Sequence, residues 1–426
     1  MNILIIGSGG REHTLAWKIR QSSLCEDLFI APGNDGTAQF GKNISIDIND
    51  FISLADFCLN NQIQMVVVGP EEPLVKGIYD FFKNNIATAH IKIIGPSGKA
   101  AQLEGSKAFA KAFMQRNKIP TAAYMEFEAS TYKEGVDYIS KHPLPIVLKA
   151  DGLAAGKGVL ICQTHKEALT EFELMIQQSK FGAAGNKVVI EEFLTGIEFS
   201  MFVLTDGIHY QLLPEAKDYK RIGVGDSGLN TGGMGAVSPV PFVDELLLKK
   251  VIDTIIEPTM TGLQSEKMEY KGIIFIGLIY DNNTPKVIEY NCRFGDPETE
   301  VVIPRTENDL VELFVAVSDG KLNNLPVVTS KRTAVTVMAV SGGYPGKYEN
   351  GKNITGLDNS ILNDSMIFHA GTKKAGEQIH TNGGRVLAVT SFGNSISTAA
   401  EKSNKILDQL HFDGMYYRND IGFEFK

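Results

Sequence analysis

Short apolar runs alternate with helix-forming stretches through the first hundred residues, and this alternation restricts the fold more than any other feature of the chain. Residues 2–6, 28–31, 65–68 and 91–94 are four such runs. Each is almost continuously apolar, the pattern of strands covered on both faces. Helices are predicted over 11–21 and 51–60. Strands and helices in this order build a parallel sheet flanked by helices. The strands end in Gly7-Ser8-Gly9-Gly10, Pro32-Gly33-Asn34-Asp35-Gly36, Gly69-Pro70-Glu71-Glu72-Pro73 and Gly95-Pro96-Ser97, all read as loops.

The pattern then changes. Residues 146–149 and 159–162 are apolar runs separated by Ala150-Asp151-Gly152-Leu153-Ala154-Ala155-Gly156-Lys157-Gly158. Strand, glycine-rich loop, strand is a hairpin with a mobile cover, not a crossover unit. Further strands are predicted at 187–191, 199–204, 272–279, 286–290, 333–340, 367–370 and 385–390, with a last helix over 397–409. Residues 321–330 read as the linker before a smaller C-terminal unit.

A chain of 426 residues corresponds to roughly three domains. Its net charge of −9 argues against a broad nucleic-acid footprint or an anionic membrane surface as partner. The N-terminal apolar run is too short for a secretory leader, and no stretch reaches the length of a membrane span, so the expected location is the cytoplasm. Cys25, Cys58, Cys162 and Cys292 are unclustered and read as reduced core thiols.

Three motifs carry chemistry. Gly7-Ser8-Gly9-Gly10-Arg11-Glu12-His13 follows a strand and opens a helix, a context in which backbone amides can meet an anionic group. Glu12 stands where a dinucleotide fingerprint needs its third glycine, and the second strand lacks a ribose-binding acid; both argue against a nicotinamide oxidoreductase. The alternative is a tight structural turn. The loop 149–158 is not a Walker A motif: Gly152 to Gly156 is one residue short, Gly158 replaces Ser or Thr, and a strand follows. Its glycines and lysines suit a cover over a polyphosphate, although a plain hairpin is the alternative. Glu289-Tyr290-Asn291-Cys292-Arg293 ends an apolar strand, and a two-residue period puts Glu289, Asn291 and Arg293 on one side. A carboxylate beside an amide oxygen suits Mg²⁺, and Arg293 can neutralise a transferring phosphoryl group. A solvent-facing strand end is the competing explanation. His13 and His369 lie beside glycine-rich loops and are candidates for substrate contact, whereas no nucleophile elbow or Cys–His pattern is present.

Arg293-Phe294-Gly295-Asp296-Pro297-Glu298 resembles the signature of the phosphoribosylamine–glycine ligases, a family of the ATP-grasp superfamily. Gly-Ser-Gly-Gly-Arg-Glu-His, Pro32-Gly33-Asn34, Gly69-Pro70-Glu71-Glu72-Pro73-Leu74, Lys149–158, Asn230-Thr231-Gly232-Gly233-Met234-Gly235 and Gly383-Gly384-Arg385-Val386-Leu387 are similar to the same family in the same order. The length suits the single-activity form.

The resemblance implies an α/β fold with an N-terminal parallel-sheet domain over 1–103. A central ATP-grasp domain would cover 104–122 and 190–325, its lid 123–189, and a small α+β C-terminal domain 326–426. It implies ATP with Mg²⁺ or Mn²⁺, glycine and 5-phosphoribosylamine as small-molecule partners, and a monomer. Lys107, Lys149, Gly156, Lys157 and Gly158 would approach the ATP phosphates. Glu191, Glu192, Phe193 and Leu194 would hold adenine and Glu198 the ribose; Glu289 and Asn291 would bind the metal. Gly9, Gly10, Asn34, Glu71, Lys220, Arg221, Gly233, Asp296 and Arg385 fall on the phosphoribosylamine side. Arg293, Lys149 and Asp218 are the expected catalytic residues. Lys217 and Tyr219 depart from the Gln and His more usual in the family, which puts a catalytic side chain at 219 in doubt. The alternative within the superfamily is another carboxylate–amine ligase, or a carboxylase or transformylase of the purine pathway.

Overall fold

The structure is a computed structural model that describes residues 1–153, 158–178, 180–357 and 364–425. The predicted first strand is Asn2–Gly7, and it pairs in parallel with Leu28–Pro32 on one side and Ile63–Val68 on the other. Lys92–Pro96 extends the parallel ladder. Apolar side chains fill both faces, as the near-continuous runs require.

The parallel ladder does not stop at the N-terminal unit. Tyr270–Asp281 pairs antiparallel with Lys92–Pro96 through Tyr270 and Lys271. Ile197–Thr205, Tyr210–Asp218, Gly235–Ser238, Thr333–Val340, Arg385–Gly393 and Ser365–His369 then follow in spatial order, so a single 13-stranded sheet runs from one end of the molecule to the other. Thr284–Asn291 pairs beside this path with Tyr270–Asp281, and its register shifts near Gly277. One sheet therefore gives the N-terminal loops, the end of Thr284–Asn291 and the C-terminal strands fixed positions relative to one another.

A separate four-stranded sheet orders Tyr124–Glu128, Lys187–Glu192, Ile146–Ala150 and Val159–Cys162. The predicted hairpin around the glycine-rich loop is present, with Ile146 opposite Cys162 and Lys149 opposite Val159. This layer has its own core, in which Phe172, Ile139, Leu148 and Ile190 are buried. The strand Lys187–Glu192 lies wholly in this sheet and so crosses the boundary expected at 189.

Two stretches differ from the sequence reading. Glu71–Val75 is a short helix inside the expected loop; Glu71 and Glu72 in its first turn complement the helix dipole. Residues 321–330 are not a free linker. Leu322 is fully buried, Thr306 bridges Thr329, and Ser330 N–H donates to Arg305 O at 2.8 Å. The apolar Leu322 and the pairing backbone bind this segment to the central core. All four cysteines are buried and free. Among the described residues, no helix is long and apolar enough to cross a membrane.

Candidate active site

Glu289 sits near the end of Thr284–Asn291, where the large sheet meets the smaller one. Lys107 Nζ lies 3.8 Å from Glu289 Oε2. Lys107 opens the helix Lys107–Arg116, and that helix start is gripped by Asp151 at the base of the glycine-rich loop. Asp151 Oδ1 accepts from Ala108 N–H at 2.7 Å and from Ser106 Oγ at 2.9 Å; its carbonyl accepts from Lys107 N–H at 3.0 Å. Asp151 and the helix start at Lys107 are thus one hydrogen-bonded unit.

Lys149 Nζ lies 2.9 Å from Glu191 Oε2 and also donates to Ile288 O at 3.3 Å. Lys111 reaches the same Glu191 oxygen at 3.2 Å. The other Glu191 oxygen is buried with no hydrogen-bond partner among the described residues. Burial, with Glu191 opposing it, brings the Lys111 ammonium down to about 8. Glu191 therefore orients Lys149 with its side chain. Ala123 N–H donates to Glu192 Oε1 at 3.1 Å, and Phe193 is exposed where the chain leaves the strand. Gly158 O accepts from Ala150 N–H at 2.8 Å, while Gly156 and Lys157 lie outside the described residues.

Lys220 extends into a ring of acids. Its Nζ lies 2.9 Å from Glu198 Oε2 and 3.6 Å from Asp218 Oδ1. Burial disfavours the ammonium, but Asp218, Glu198 and Glu289 outweigh it and hold the Lys220 pKa well above its ordinary value. Lys220 in turn holds Glu198 ionised. Burial raises the Asp218 carboxyl despite Lys220. Burial alone would also raise Glu289; Lys107, Lys220, Lys149 and Arg293 reverse this and bring it down to about 2. Four cations converging on one carboxylate form a site for a polyanion, with Glu289 ionised inside it.

Glu289 and the buried Asn291 supply two hard oxygen donors at one strand end. No group of three or more His, Cys, Asp or Glu side chains at ligand spacing occurs among the described residues. Two protein oxygens fit Mg²⁺ or Mn²⁺ if phosphate oxygens and water complete the shell, and they do not fit a cage built from protein alone.

Arg293 follows directly. Its Nη2 lies 2.8 Å from Glu104 Oε1, and its Nε lies 3.4 Å from Glu71 Oε2. Glu104, which sequence reasoning missed, stands three residues before Lys107 in the helix Gly98–Gly105 and also accepts Cys292 N–H at 2.7 Å. Its place in Leu103-Glu104-Gly105-Ser106-Lys107, just ahead of the candidate Lys107, was the available clue.

The signature turn then joins the three ends of the molecule. Arg385 Nη2 lies 2.8 Å from Asp296 Oδ1, and Arg385 Nη1 donates to Asp296 O at 2.7 Å and to Gly232 O at 2.6 Å. Asp296 Oδ2 accepts from Arg11 N–H at 3.2 Å. A side chain at Gly9 would approach Asp296, and one at Gly233, whose φ is +120°, would strike Pro297. Gly9, Gly10, Gly233, Asp296 and Arg385 therefore surround one cradle. Glu298 and Glu300, both missed as site residues, back it. Burial and Asp218 push the Glu298 carboxyl up to about 8. Burial and Asp296 push Glu300 well above the usual carboxylate range.

Four of the candidates make contacts within the protein. The helix at Gly10–Ile19 does not offer its first amides freely, because Glu12 Oε2 takes Gly9 N–H at 2.5 Å and Asp296 takes Arg11 N–H. The side chain of Asn34 braces protein: its Nδ2 donates to Ser8 O and His369 O, both at 2.8 Å, and its Oδ1 accepts Thr37 N–H at 3.0 Å. Arg221 Nη1 closes its own hairpin on Gly228 O at 2.8 Å. His13 and His369 are buried and packed together, with His369 N–H donating to His13 Nδ1 at 2.7 Å, and they join the N- and C-terminal parts. Tyr219 is likewise buried and points to Glu424 at 2.8 Å, in keeping with the doubt about its catalytic use.

Comparison with known proteins agrees with this geometry. Models of phosphoribosylglycinamide synthetase match most of the chain: the N domain over 1–104, the ATP-grasp (A) domain over 105–299 and the C domain over 334–424. The chain is 46% identical over 426 residues to phosphoribosylamine–glycine ligase of Vibrio vulnificus strain YJ016, covering 99% of this chain and 98% of that one. Identity to the ligase of Escherichia coli strain K12 is 45% over 427 residues, with the same coverage. The crystal structure of phosphoribosylamine–glycine ligase from Thermotoga maritima superposes with a TM-score of 0.85 at 33% identity, covering 99% of this chain and 100% of that one. The biotin carboxylase domain of the Hydrogenobacter thermophilus 2-oxoglutarate carboxylase, solved with its magnesium ADP salt, has a TM-score of 0.73 at 15% identity and shares the fold alone. With three consecutive domain matches and near-complete relatives at this identity, the chain belongs to the phosphoribosylamine–glycine ligase family of ATP-grasp enzymes.

Proposed function

We propose that the chain joins glycine to 5-phosphoribosylamine at the expense of ATP, giving glycinamide ribonucleotide, ADP and phosphate in purine synthesis. The carrying observation is that the cation cluster around Glu289 and the cradle around Asp296 meet at one turn, Arg293–Glu298. A polyphosphate and a second substrate held on either side of this turn would face one another.

A carboxylate oxygen of glycine attacks the γ-phosphorus of ATP, and the bond to the β-phosphate oxygen breaks to release ADP. The amine of phosphoribosylamine then attacks the acyl carbon. The carbon–oxygen bond to phosphate breaks, and the amine proton leaves for solvent or the departing phosphate. No enzyme nucleophile is required. Lys107 and Lys149 hold ATP phosphate oxygens, Lys220 lies on the phosphoribosylamine side, and Arg293 faces the charge that develops on the transferring group. Glu289 and Asn291 would hold Mg²⁺ or Mn²⁺, which supplies further charge neutralisation when bound. Glu191 aims Lys149, while Gly9, Gly10, Gly233, Asp296 and Arg385 shape the phosphoribosylamine side. The four-stranded layer that carries Ile146–Ala150 and Val159–Cys162 would cover the phosphates and keep water from the acyl phosphate.

The domain limits are proposed as 1–103, 104–122 with 190–325, 123–189 and 326–426. The enzyme is proposed to be a cytoplasmic monomer. Purified protein given Mg-ATP, glycine and freshly generated phosphoribosylamine should release ADP only when all three are present, with glycinamide ribonucleotide as co-product. Folded protein that forms neither would overturn the ligase reading.

A further inference from the structure

The strand that carries the acid ring has its other side clamped by the end of the chain. Asp218 and Lys220 face Glu198. Lys217 and Tyr219 alternate with them, as extended backbone requires. Both meet one carboxylate: Lys217 Nζ lies 2.8 Å from Glu424 Oε1, and Tyr219 Oη donates to Glu424 Oε2 at 2.8 Å. Lys217 Nζ also lies 4.1 Å from the centre of the Tyr219 ring. Glu424 thus spans the residues on either side of Asp218.

The surrounding contacts make the clamp stiff. Arg418 is fully buried and lies over the Tyr219 ring at 5.4 Å. It pairs with Asp226 at 2.6 Å and Asp420 at 2.8 Å, and donates to Arg221 O at 3.1 Å. The Tyr219 backbone bonds on both sides, its N–H to Gly235 O at 2.9 Å and its O to Met234 N–H at 2.7 Å. A shift of Tyr219 would therefore move Asp218 and Lys220 and also the Gly232–Gly233 loop that Arg385 holds. Lys217 is close enough to Asp218 and Glu198 to favour their ionised forms, so the Glu424 charge also sets how much of the Lys217 field reaches the site.

We propose that Glu424 is a positioning residue for the ligase reaction. Through Lys217 and Tyr219, it sets Asp218 and Lys220 against Glu198 and Glu289. The inference rests on the ligase reading given above. It differs from a role in holding the C-terminal segment down, because a purely structural clamp would change melting temperature and leave turnover per folded site unchanged.

The test compares wild type, E424A, E424Q, K217A and the double variant K217A/E424A for kcat, KM for ATP and thermal midpoint, with glycinamide ribonucleotide as the product measured. Because small displacements of charged groups are felt in the transition state, E424A and K217A should each lose about tenfold in kcat, with KM for ATP within about twofold of wild type. Residues acting as one unit give a double variant no slower than the slower single variant. E424Q keeps the hydrogen bond to Tyr219 and should fall between wild type and E424A; it carries the comparison if E424A does not fold. Variants that melt earlier but keep wild-type kcat, or losses that multiply in the double variant, would overturn the proposal. Wild-type protein that makes no product would overturn the ligase reading and the positioning role with it.

Discussion

Arg293 Nη2 lies 2.8 Å from Glu104 Oε1, while the second oxygen of Glu104 accepts the N–H of Cys292 at 2.7 Å. One buried carboxylate therefore fixes both the side chain and the adjoining backbone of the signature run. Lysine cannot reproduce the planar fork, so R293K should retain charge but lose orientation. Turnover by R293K should fall about 100-fold, as for loss of a preorganised transition-state donor. E104A leaves Arg293 with only the longer ion pair to Glu71 and frees the Cys292 N–H, and should cost about 3 kcal/mol in urea unfolding. An R293K enzyme with wild-type kcat would remove Arg293 from the chemistry.

Glu289 has a distinct pH signature. Its folded pKa of about 2 lies below its ordinary 4.5, so its stabilising contribution is present above 4.5 and is lost as pH falls towards 2. E289Q mimics the protonated acid. The urea midpoint of wild type should exceed that of E289Q at neutral pH, and the gap should close as pH drops through this window. A gap that stays constant would mean that the surrounding cations do not hold Glu289 ionised.

Glu298 should behave in the opposite sense. Its folded pKa of about 8 lies above its ordinary 4.5. Its contribution is therefore fully present below 4.5 and is lost as pH rises through 8. E298Q cannot ionise, so its stability should gain on wild type between pH 4.5 and 8. Denaturant midpoints measured across that range check this, and parallel curves would show that folding does not raise the Glu298 pKa.

Asp151 supplements the Ser106 cap of the helix that Lys107 opens, by accepting from Ala108 N–H and the Ser106 hydroxyl. D151A should lose about 1 kcal/mol of stability, the usual effect of removing a helix cap. It should also raise KM for ATP more than KM for glycine. Equal changes in both would place Asp151 outside nucleotide binding.

Much of the frame was legible because it is local. Continuous apolar runs at 2–6, 65–68 and 146–149 became strands, since nothing but burial on both faces explains them. The Gly-rich hairpin followed from two apolar runs too close for a crossover. The helix at Glu71–Val75 was not legible, because Pro73 and the neighbouring glycine disguise a single turn. Nor was the fixed path of 321–330, where the deciding fact is the depth of Leu322 in a core assembled from distant segments.

The candidate site divides in the same way. Lys107, Lys149, Glu289 and Arg293 were visible as residue types at the ends of strands and in a loop, and the ordered motifs identified the family. Their partners were not visible. Glu104 meets Arg293 across 189 positions, Asp296 meets Arg385 across 89, and Tyr219 meets Glu424 across 205. Sequence periodicity specifies which way a side chain faces relative to its own strand or helix. It does not specify which distant charge will stand opposite, and for a buried ionisable group that neighbour decides its protonation. The sequence by itself determined the strands, the loops and the chemical inventory of the site. Only the tertiary structure decided which acids hold Lys149, Lys220 and Arg293 in place, and which amides and carboxamides are already taken by protein, because those contacts exist only once one sheet has brought the ends of the chain together.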